Sequence, residues 1–189
     1  TAIQQYGTQK QKEENLAAIS SGERLFALAV DEGPRHNPSR IAFSAEPKGN
    51  GFVLSGAKTF VADGHVADKL IIAARTSGEQ GDAHGITLFL VDADAPEIVR
   101  EHMPMVDSRN AANISVDGLE VTGDDILGDL DGGYGALEGI LSAGRAVLSA
   151  EMSGSAQEVF GVTTDYLKER EQFGQKIGSF QGLQHRAAH

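Results

Sequence analysis

The chain has 189 residues, of which 40% are hydrophobic, with no cysteine and a formal net charge of −11. That length can bury a substantial core in one or two domains. The acidic balance disfavours nucleic acid and anionic membrane surfaces, which need clustered Lys and Arg, and the lack of cysteine removes disulfide and thiolate chemistry. The longest notable apolar run, Leu70–Ala74, is far too short to span a bilayer, so no membrane span is expected. The N-terminus has no signal-peptide layout and does not begin with Met, which suggests a processed, trimmed or incomplete chain. A cytoplasmic location is the expectation.

Residues 1–22 read as a helical tail. Gly7 and Thr8 mark a helix start, and Leu16 and Ile19 supply an apolar edge. Residues 23–128 have strand character. The candidate strands are Leu25–Val30, Ile41–Glu46, Phe52–Val61, Leu70–Thr76, Ile86–Val91 and Ala112–Val116. P-K-G-N-G (Pro47–Gly51) turns a hairpin, and Ser77–Gly85 joins two further strands. No helical periodicity separates these strands. A mostly antiparallel sandwich or barrel therefore fits better than a βαβ sheet.

Residues 129–189 switch to helical spacing after Asp131-Gly132-Gly133. Tyr134, Leu137, Leu141, Gly144, Leu148, Ser155, Val159, Val162 and Tyr166 step by three and four, with Glu151 or Met152 as the step between Leu148 and Ser155. A single amphipathic helix of about 50 Å or more follows from 1.5 Å per residue. Its middle is rich in Gly, Ala and Ser, which permit close helix approach. One long helix and one short helix cannot close a bundle, so further helices are expected from beyond His189 or from another chain. The fold class is thus α+β: a β-sandwich or barrel domain, then the long helices of an incomplete bundle.

The stretch Tyr166–Ala188 reads as two helices and a corner. Tyr166, Leu167, Arg170 and Phe173 share a helical face, Gly174 stops that helix, and Ser179 caps the next. On residue chemistry alone this is a helical corner with a solvated arginine, or a guanidinium and an amide that grip phosphate and a ring edge. The acidic run Asp124, Asp125, Asp129 and Asp131 lacks EF-hand spacing and reads as solvent-facing, favouring the N-terminus of the following helix. His185 and His189 stand four apart without the glutamate of a zinc-protease helix, so no metal site is expected. There is no G-x-G-x-x-G, P-loop or G-x-S-x-G.

The order R-x-Q-F-G-x-x-I-x-x-F-Q-x-x-Q-H (Arg170–His185) closely resembles the signature of the acyl-CoA dehydrogenase family of flavoproteins. The resemblance implies that Arg170 and Gln181 hold the FAD of a neighbouring subunit, with Phe173 lining the same site. Two further segments are similar to that family. A-L-A-V-D-E (Ala27–Glu32) resembles its A-L-T-E-P-G segment and implies Leu28, Val30 and Asp31 beside the flavin. Asp31 stands where a threonine is usual, and Gly33-Pro34-Arg35 replaces the small Pro-Gly-Ala-Gly-Ser turn. Arg35 either faces a pyrophosphate or is solvent-exposed. L-S-G-A-K-T-F-V-A-D-G (Leu54–Gly64) resembles the family's L-x-G-x-K segment and implies Phe60, Val61 and Ala62 against the isoalloxazine. Ala62 replaces a common threonine. Without the resemblance this segment reads as a hairpin with an ordinary apolar face.

S-A-G-R (Ser142–Arg145) resembles the D-x-x-R turn that faces acyl-CoA in the family. Arg145 then either contacts substrate or is a structural arginine paired with Glu151 or Asp131. α,β-Dehydrogenation needs a carboxylate near the substrate α-carbon. The resemblance implies that in most of the family this carboxylate comes from well beyond the point where this chain stops, and in a minority from the long-helix position held here by Gly144, so no catalytic residue is expected in this chain. The resemblance implies FAD-dependent oxidation of an acyl-CoA thioester in fatty acid metabolism, with electrons passed to a flavoprotein acceptor, by a homo-oligomer (dimer or tetramer). A flavin oxidase or monooxygenase relative is one alternative. A non-catalytic fragment or oligomerisation module is the other. Residues 1–22 would then be the end of an N-terminal helical domain absent from this chain.

Overall fold

The computed structural model describes residues 1–107 and 109–188. It divides into two compact units, Thr1–Leu141 and the residues from Ser142 onward. The first unit opens with α1 (Ala2–Tyr6) and α2 (Gln9–Ser21). Thr8 caps α2 reciprocally: its Oγ1 accepts from Gln11 N at 3.2 Å, and its N–H donates to Gln11 Oε1 at 3.0 Å. Such a box satisfies two backbone donors that the helix itself leaves unpaired. The buried face of α2 is mixed: Leu16 packs against the core as the apolar edge predicts, but Ile19 does not join it. Gln11 and Asn15 are buried, whereas Ile19 is exposed. Gln11 Nε2 donates to the carbonyls of Asp124 and Ile126, so hydrogen bonds add to the Leu16 contact in docking this helix.

The strands are β1 (Phe26–Ala29), β2 (Ser44–Lys48), β3 (Gly51–Ala62), β4 (Lys69–Arg75), β5 (Ile86–Asp92), β6 (Ile98–Met103), β7 (Ala111–Thr122) and β8 (Ile126–Leu127). They form one sheet in the order β6-β7-β3-β2-β4-β5-β8, with β1 parallel to β4. The remaining pairings are antiparallel, apart from a single parallel step between Ser44 and Arg75, so the mostly antiparallel domain is as expected. β4 is apolar from Leu70 to Ala74 and β5 from Leu88 to Val91, with Thr87 buried beside them, as suits strands covered on both faces. Ile72, Leu88 and Phe89 are fully enclosed at the centre of the core. The Pro47–Gly51 turn closes the β2–β3 hairpin with Lys48 opposite Gly51.

Several strand expectations change: β7 runs on past Val116 to Thr122, and the short β8 was not among the candidate strands. β2 begins at Ser44 rather than Ile41, because the N–H groups of Ala42 and Phe43 donate to the Glu32 carboxylate instead of to a strand. β6 was not foreseen from the sequence. It is an edge strand whose Arg100 and Glu101 mask the apolar pattern, and charged edges resist unwanted pairing.

α3 spans Gly133–Glu169. Its first turn lies close against the sheet: a Cβ on Gly133 would sit 2.9 Å from the Ile86 carbonyl oxygen. Ala136 and Leu137 then seal that end of the core. The acidic run before α3 is not simply solvent-facing. Asp125 accepts from Thr122 N and Oγ1, and Asp131 accepts from Thr76 and Ser77 hydroxyls.

In the second unit the helix stops at Glu169, so Arg170 and Phe173 are not on its face as the spacing predicted. A small hairpin follows, β9 (Glu171–Gln172) and β10 (Gln175–Lys176). Phe173 and Gly174 form its two-residue turn with φ of 54° and 79°. Two left-handed residues in succession match the twist of an antiparallel pair. Ser179 does not cap α4 (Gln181–Ala187): it ends a 3₁₀ turn and donates to the Lys176 carbonyl, and Phe180 holds the cap position.

Candidate functional site

The end of β1 and the bulge in β3 come together through Lys58. Its side chain is 0% exposed, and Nζ donates to the Val30 carbonyl at 2.9 Å and to Glu32 Oε1 at 2.7 Å, the Glu32 side chain being 15% exposed. An ammonium taken from water must have such partners. Burial nevertheless pulls Lys58 down to about 8, against the opposing pull of Glu32. Desolvation penalises the charged form, and here it outweighs the attraction. The same Glu32 carboxylate accepts the N–H groups of Ala42 and Phe43. One buried pair thus fixes the chain on both sides of Asp31.

Asp31 presents two faces. Its carbonyl accepts Thr59 N–H at 2.7 Å, tying it to the β3 bulge. Its carboxylate lies 2.9 Å from His36 Nδ1 and accepts Asn37 N–H at 3.1 Å. The register of β3 on β7 slips between Lys58 and Val61. Phe60 sits in that slip with φ of 52° and its side chain 55% exposed. A bulky residue in the left-handed region costs roughly 1–2 kcal/mol. Asn113 on β7 compensates. Its Oδ1 accepts Thr59 Oγ1 at 3.0 Å and Phe60 N–H at 3.3 Å. Strain of this kind persists where surrounding groups over-determine it, and it clusters at functional sites.

Leu28 is half-buried on β1, and Val30 is buried directly after it. Val61 is also buried, so only its backbone is available to a ligand, whereas Ala62 is exposed opposite Ala111. The structure therefore brings Asp31 and Phe60 together. Asn113, His36, Lys58 and Glu32 support them; Lys58 and Glu32 lie within the family-like segments without having been read as site residues, and Asn113 and His36 carry no signal in the sequence.

In the second unit the β9–β10 hairpin carries the other group. Arg170 is exposed; its N–H donates to the Tyr166 carbonyl at 2.9 Å and its carbonyl accepts Ile177 N–H at 2.8 Å. Phe173 is 92% exposed at the hairpin tip and meets Phe180 edge-on, with centroids 6.3 Å apart. Gln181 is exposed as the first residue of α4. Arg145 is exposed on α3. His189, named with His185, lies outside the described residues. Among the described residues no group of three or more His, Asp or Glu is placed to hold a metal, and no described helix is long and apolar enough to cross a membrane.

The described residues thus combine an eight-stranded, mostly antiparallel sheet, a long helix and a strained exposed aromatic on a sheet bulge. The family model "Acyl-CoA dehydrogenase, middle domain" matches residues 32–119, and "Acyl-CoA dehydrogenase, C-terminal domain" matches residues 131–189. The chain belongs to the acyl-CoA dehydrogenase family. It is 31% identical over 191 residues to the mitochondrial short/branched chain specific acyl-CoA dehydrogenase of Bos taurus, covering 99% of this chain and 44% of that protein. It is 32% identical over 187 residues to the 3-(aryl)acrylate reductase of Clostridium sporogenes, covering 96% of this chain and 49% of that protein. The structure of an acyl-CoA dehydrogenase from Geobacillus kaustophilus superposes with a TM-score of 0.89 at 28% identity, covering 99% of this chain and 50% of that one. The chain spans less than half the length of these two curated relatives.

Proposed function

We propose that this chain is the flavin-binding central region of an FAD-dependent acyl-CoA dehydrogenase. The observation that carries the reading is Phe60, held half-exposed in a left-handed backbone by Asn113 next to the Asp31 carbonyl. An exposed aromatic face beside fixed polar groups suits a flat heteroaromatic ring. The residues present fit the cofactor in this respect. Leu28, Val30, Asp31, Phe60, Val61 and Ala62 would hold the isoalloxazine from the sheet. Arg170, Phe173 and Gln181 would hold the FAD of a neighbouring subunit from the hairpin corner.

FAD would supply the hydride acceptor for oxidation of an acyl-CoA thioester to its enoyl form. The chain's own contribution is orientation. The Lys58–Glu32 pair fixes the approach of Val30–Glu32, and Asn113 fixes the backbone that carries the Phe60 ring. Arg145 would contact the acyl-CoA. No residue of this chain is assigned the role of base, and the electron acceptor would be another flavoprotein. The proposed division is a helical tail over 1–22, a β-domain over 23–128 and the first helices of a C-terminal domain over 129–189.

A second reading is favoured by a specific observation. Val147, Leu148, Met152, Val159, Phe160, Val162 and Tyr166 are exposed along α3. Exposed apolar surface of this extent marks an association surface. The helical unit would then serve assembly into a homo-oligomer, with or without catalysis. One experiment separates the readings: absorbance between about 350 and 500 nm after FAD addition and desalting. Retained flavin that is lost in Arg170→Ala supports the first. A colourless chain sinks flavin binding and leaves the second.

A further inference from the structure

At the end of β1 an apolar run stops on a carboxylate. Phe26–Val30 are all apolar, and Asp31 follows them. Its place is fixed through the backbone, where its carbonyl accepts Thr59 N–H at 2.7 Å. Residues joined in this way across paired segments have Cα atoms about 5.5 Å apart, which leaves Asp31 one residue from the exposed Phe60. The side chain is fixed as well. His36 Nδ1 lies 2.9 Å from Oδ2, and Asn37 N–H donates to Oδ1 at 3.1 Å. The Asp31 side chain is 28% exposed and that of His36 is 47% exposed, so the acid is the more sheltered member of the pair.

The charges around Asp31 leave it in excess. Lys58 and Glu32 form one matched pair at 2.7 Å, and Asp31 is a second carboxylate beside them. Its field reaches the β3 bulge rather than ending in solvent. Burial pulls Lys58 down and Glu32 pulls it up most, and Asp31 adds to that upward pull. Arg35 and Arg40, the other cations of this loop, line a groove with Glu32 and Gln80. The side chain that meets the Asp31 carboxylate is His36, and a neutral imidazole donates a hydrogen bond without cancelling the charge.

We infer that Asp31 is a tuning residue: its carboxylate, positioned by His36 and Asn37, lowers the reduction potential of a flavin held against Phe60. The inference rests on the flavin reading proposed above. Reduction of FAD to its anionic reduced form takes up two electrons and one proton, so the ring gains one negative charge. A fixed negative charge in a partly water-excluded site opposes that gain. The threonine that the family resemblance sets at this position would be neutral and could donate to the ring. An ionised carboxylate can only accept, and this one already accepts from two groups.

The test loads the 189-residue chain with FAD and equilibrates it with a reference dye of known potential. The measurement is made at about pH 7, where an ordinary histidine, at about 6.5, is mostly neutral. Asp31→Asn and Asp31→Thr should both raise the potential. The equilibrium with the dye should shift at least about tenfold, or about 30 mV for a two-electron couple. His36→Gln keeps the carboxylate and should not raise the potential. Asp124→Asn removes the same charge from an exposed site, ion-paired to Lys10, and should leave the potential unchanged. Circular dichroism checks that each variant is folded. No rise in the Asp31 variants would overturn the inference. So would an equal rise in His36→Gln, which would assign the effect to the shape of the loop, or in Asp124→Asn, which would assign it to net charge. Loss of FAD from both Asp31 variants would also overturn it, by making Asp31 a ligand that holds the cofactor. A native chain that never retains FAD defeats the flavin reading and this inference with it. One that retains FAD at a potential indifferent to Asp31 defeats this inference alone.

Discussion

Lys58 Nζ lies 2.7 Å from Glu32 Oε1 with its side chain wholly enclosed, and the same ammonium holds the Val30 carbonyl. Removing one member of a buried pair leaves the other uncompensated, which costs about 3 kcal/mol or more. Lys58→Met should therefore destabilise the sheet unit by roughly that amount in urea unfolding. The pH dependence has a definite sign. Lys58 titrates at about 8 when folded, below the value of 10.5 for a free lysine. Between those two values the unfolded chain binds more protons, so this group's contribution to stability rises with pH. The gap between native and Lys58→Met stabilities should widen from pH 7.5 to pH 10. A gap that narrows would mean that burial does not dominate at Lys58.

Phe60 gives two predictions of opposite sign in one residue. Phe60→Gly removes the left-handed penalty and loses little burial, so thermal stability should hold or rise by about 1 kcal/mol. Flavin retention should fall, because the exposed ring is the proposed stacking face. Asn113→Ala should behave differently. It strips two donors of their acceptor, at a cost of about 1–2 kcal/mol, and loosens the ring while leaving it present. Melting curves and retained absorbance on both variants check this. Parallel changes in stability and retention would show that Phe60 is structural only.

Asp131 carries an acid-side signature. It has φ of 60° and accepts hydroxyls from Thr76 at 2.6 Å and Ser77 at 2.8 Å. Those bonds, Thr76 first, hold its carboxyl below the ordinary aspartate range. A depressed carboxyl stabilises the fold above its unfolded value and loses that contribution as pH falls through the folded one. Native chain and Asp131→Asn should therefore differ in urea midpoint at pH 6 and draw together as pH falls below the ordinary aspartate value of about 3.9 toward the lower folded one. A difference that persists in acid would assign the effect to shape rather than charge.

These cases show what the sequence makes legible. β4 and β5 announced themselves as apolar runs, and the Gly-rich turn after Pro47 marked its hairpin. Both signals are local. Lys58 was visible within L-S-G-A-K, but its partner Glu32 lies 26 residues away. Asn113 meets Thr59 across 54 residues, through a strand register that no local pattern encodes. Nothing local marks Gln11 and Asn15 as buried, because the carbonyls of Asp124 and Ile126 that accept from Gln11, and the Arg24 guanidinium that donates to Asn15, lie on other segments. Phe173-Gly174 misled in another way. A glycine with positive φ ends a helix and turns a hairpin equally well, and only the short strands beside it decide.

That turn supplies the last prediction. Phe173 and Gly174 both have positive φ, at 54° and 79°, so the β9–β10 hairpin depends on residues that tolerate this region. Gly174→Val places a β-branched side chain there and should unfold the hairpin while keeping the Phe173 ring. Phe173→Asn should do the reverse, since asparagine tolerates the left-handed region and removes the ring. If the corner holds FAD through a positioned aromatic, both variants lose flavin. Gly174→Val should also lose the contribution of Arg170, whose carbonyl anchors Ile177 N–H across the hairpin base. The sheet unit's unfolding transition should not move in either variant. Loss of flavin in Gly174→Val alone would assign binding to Arg170 and Gln181, with Phe173 serving only to fill the corner against Phe180. Retention in both would remove the hairpin from the site.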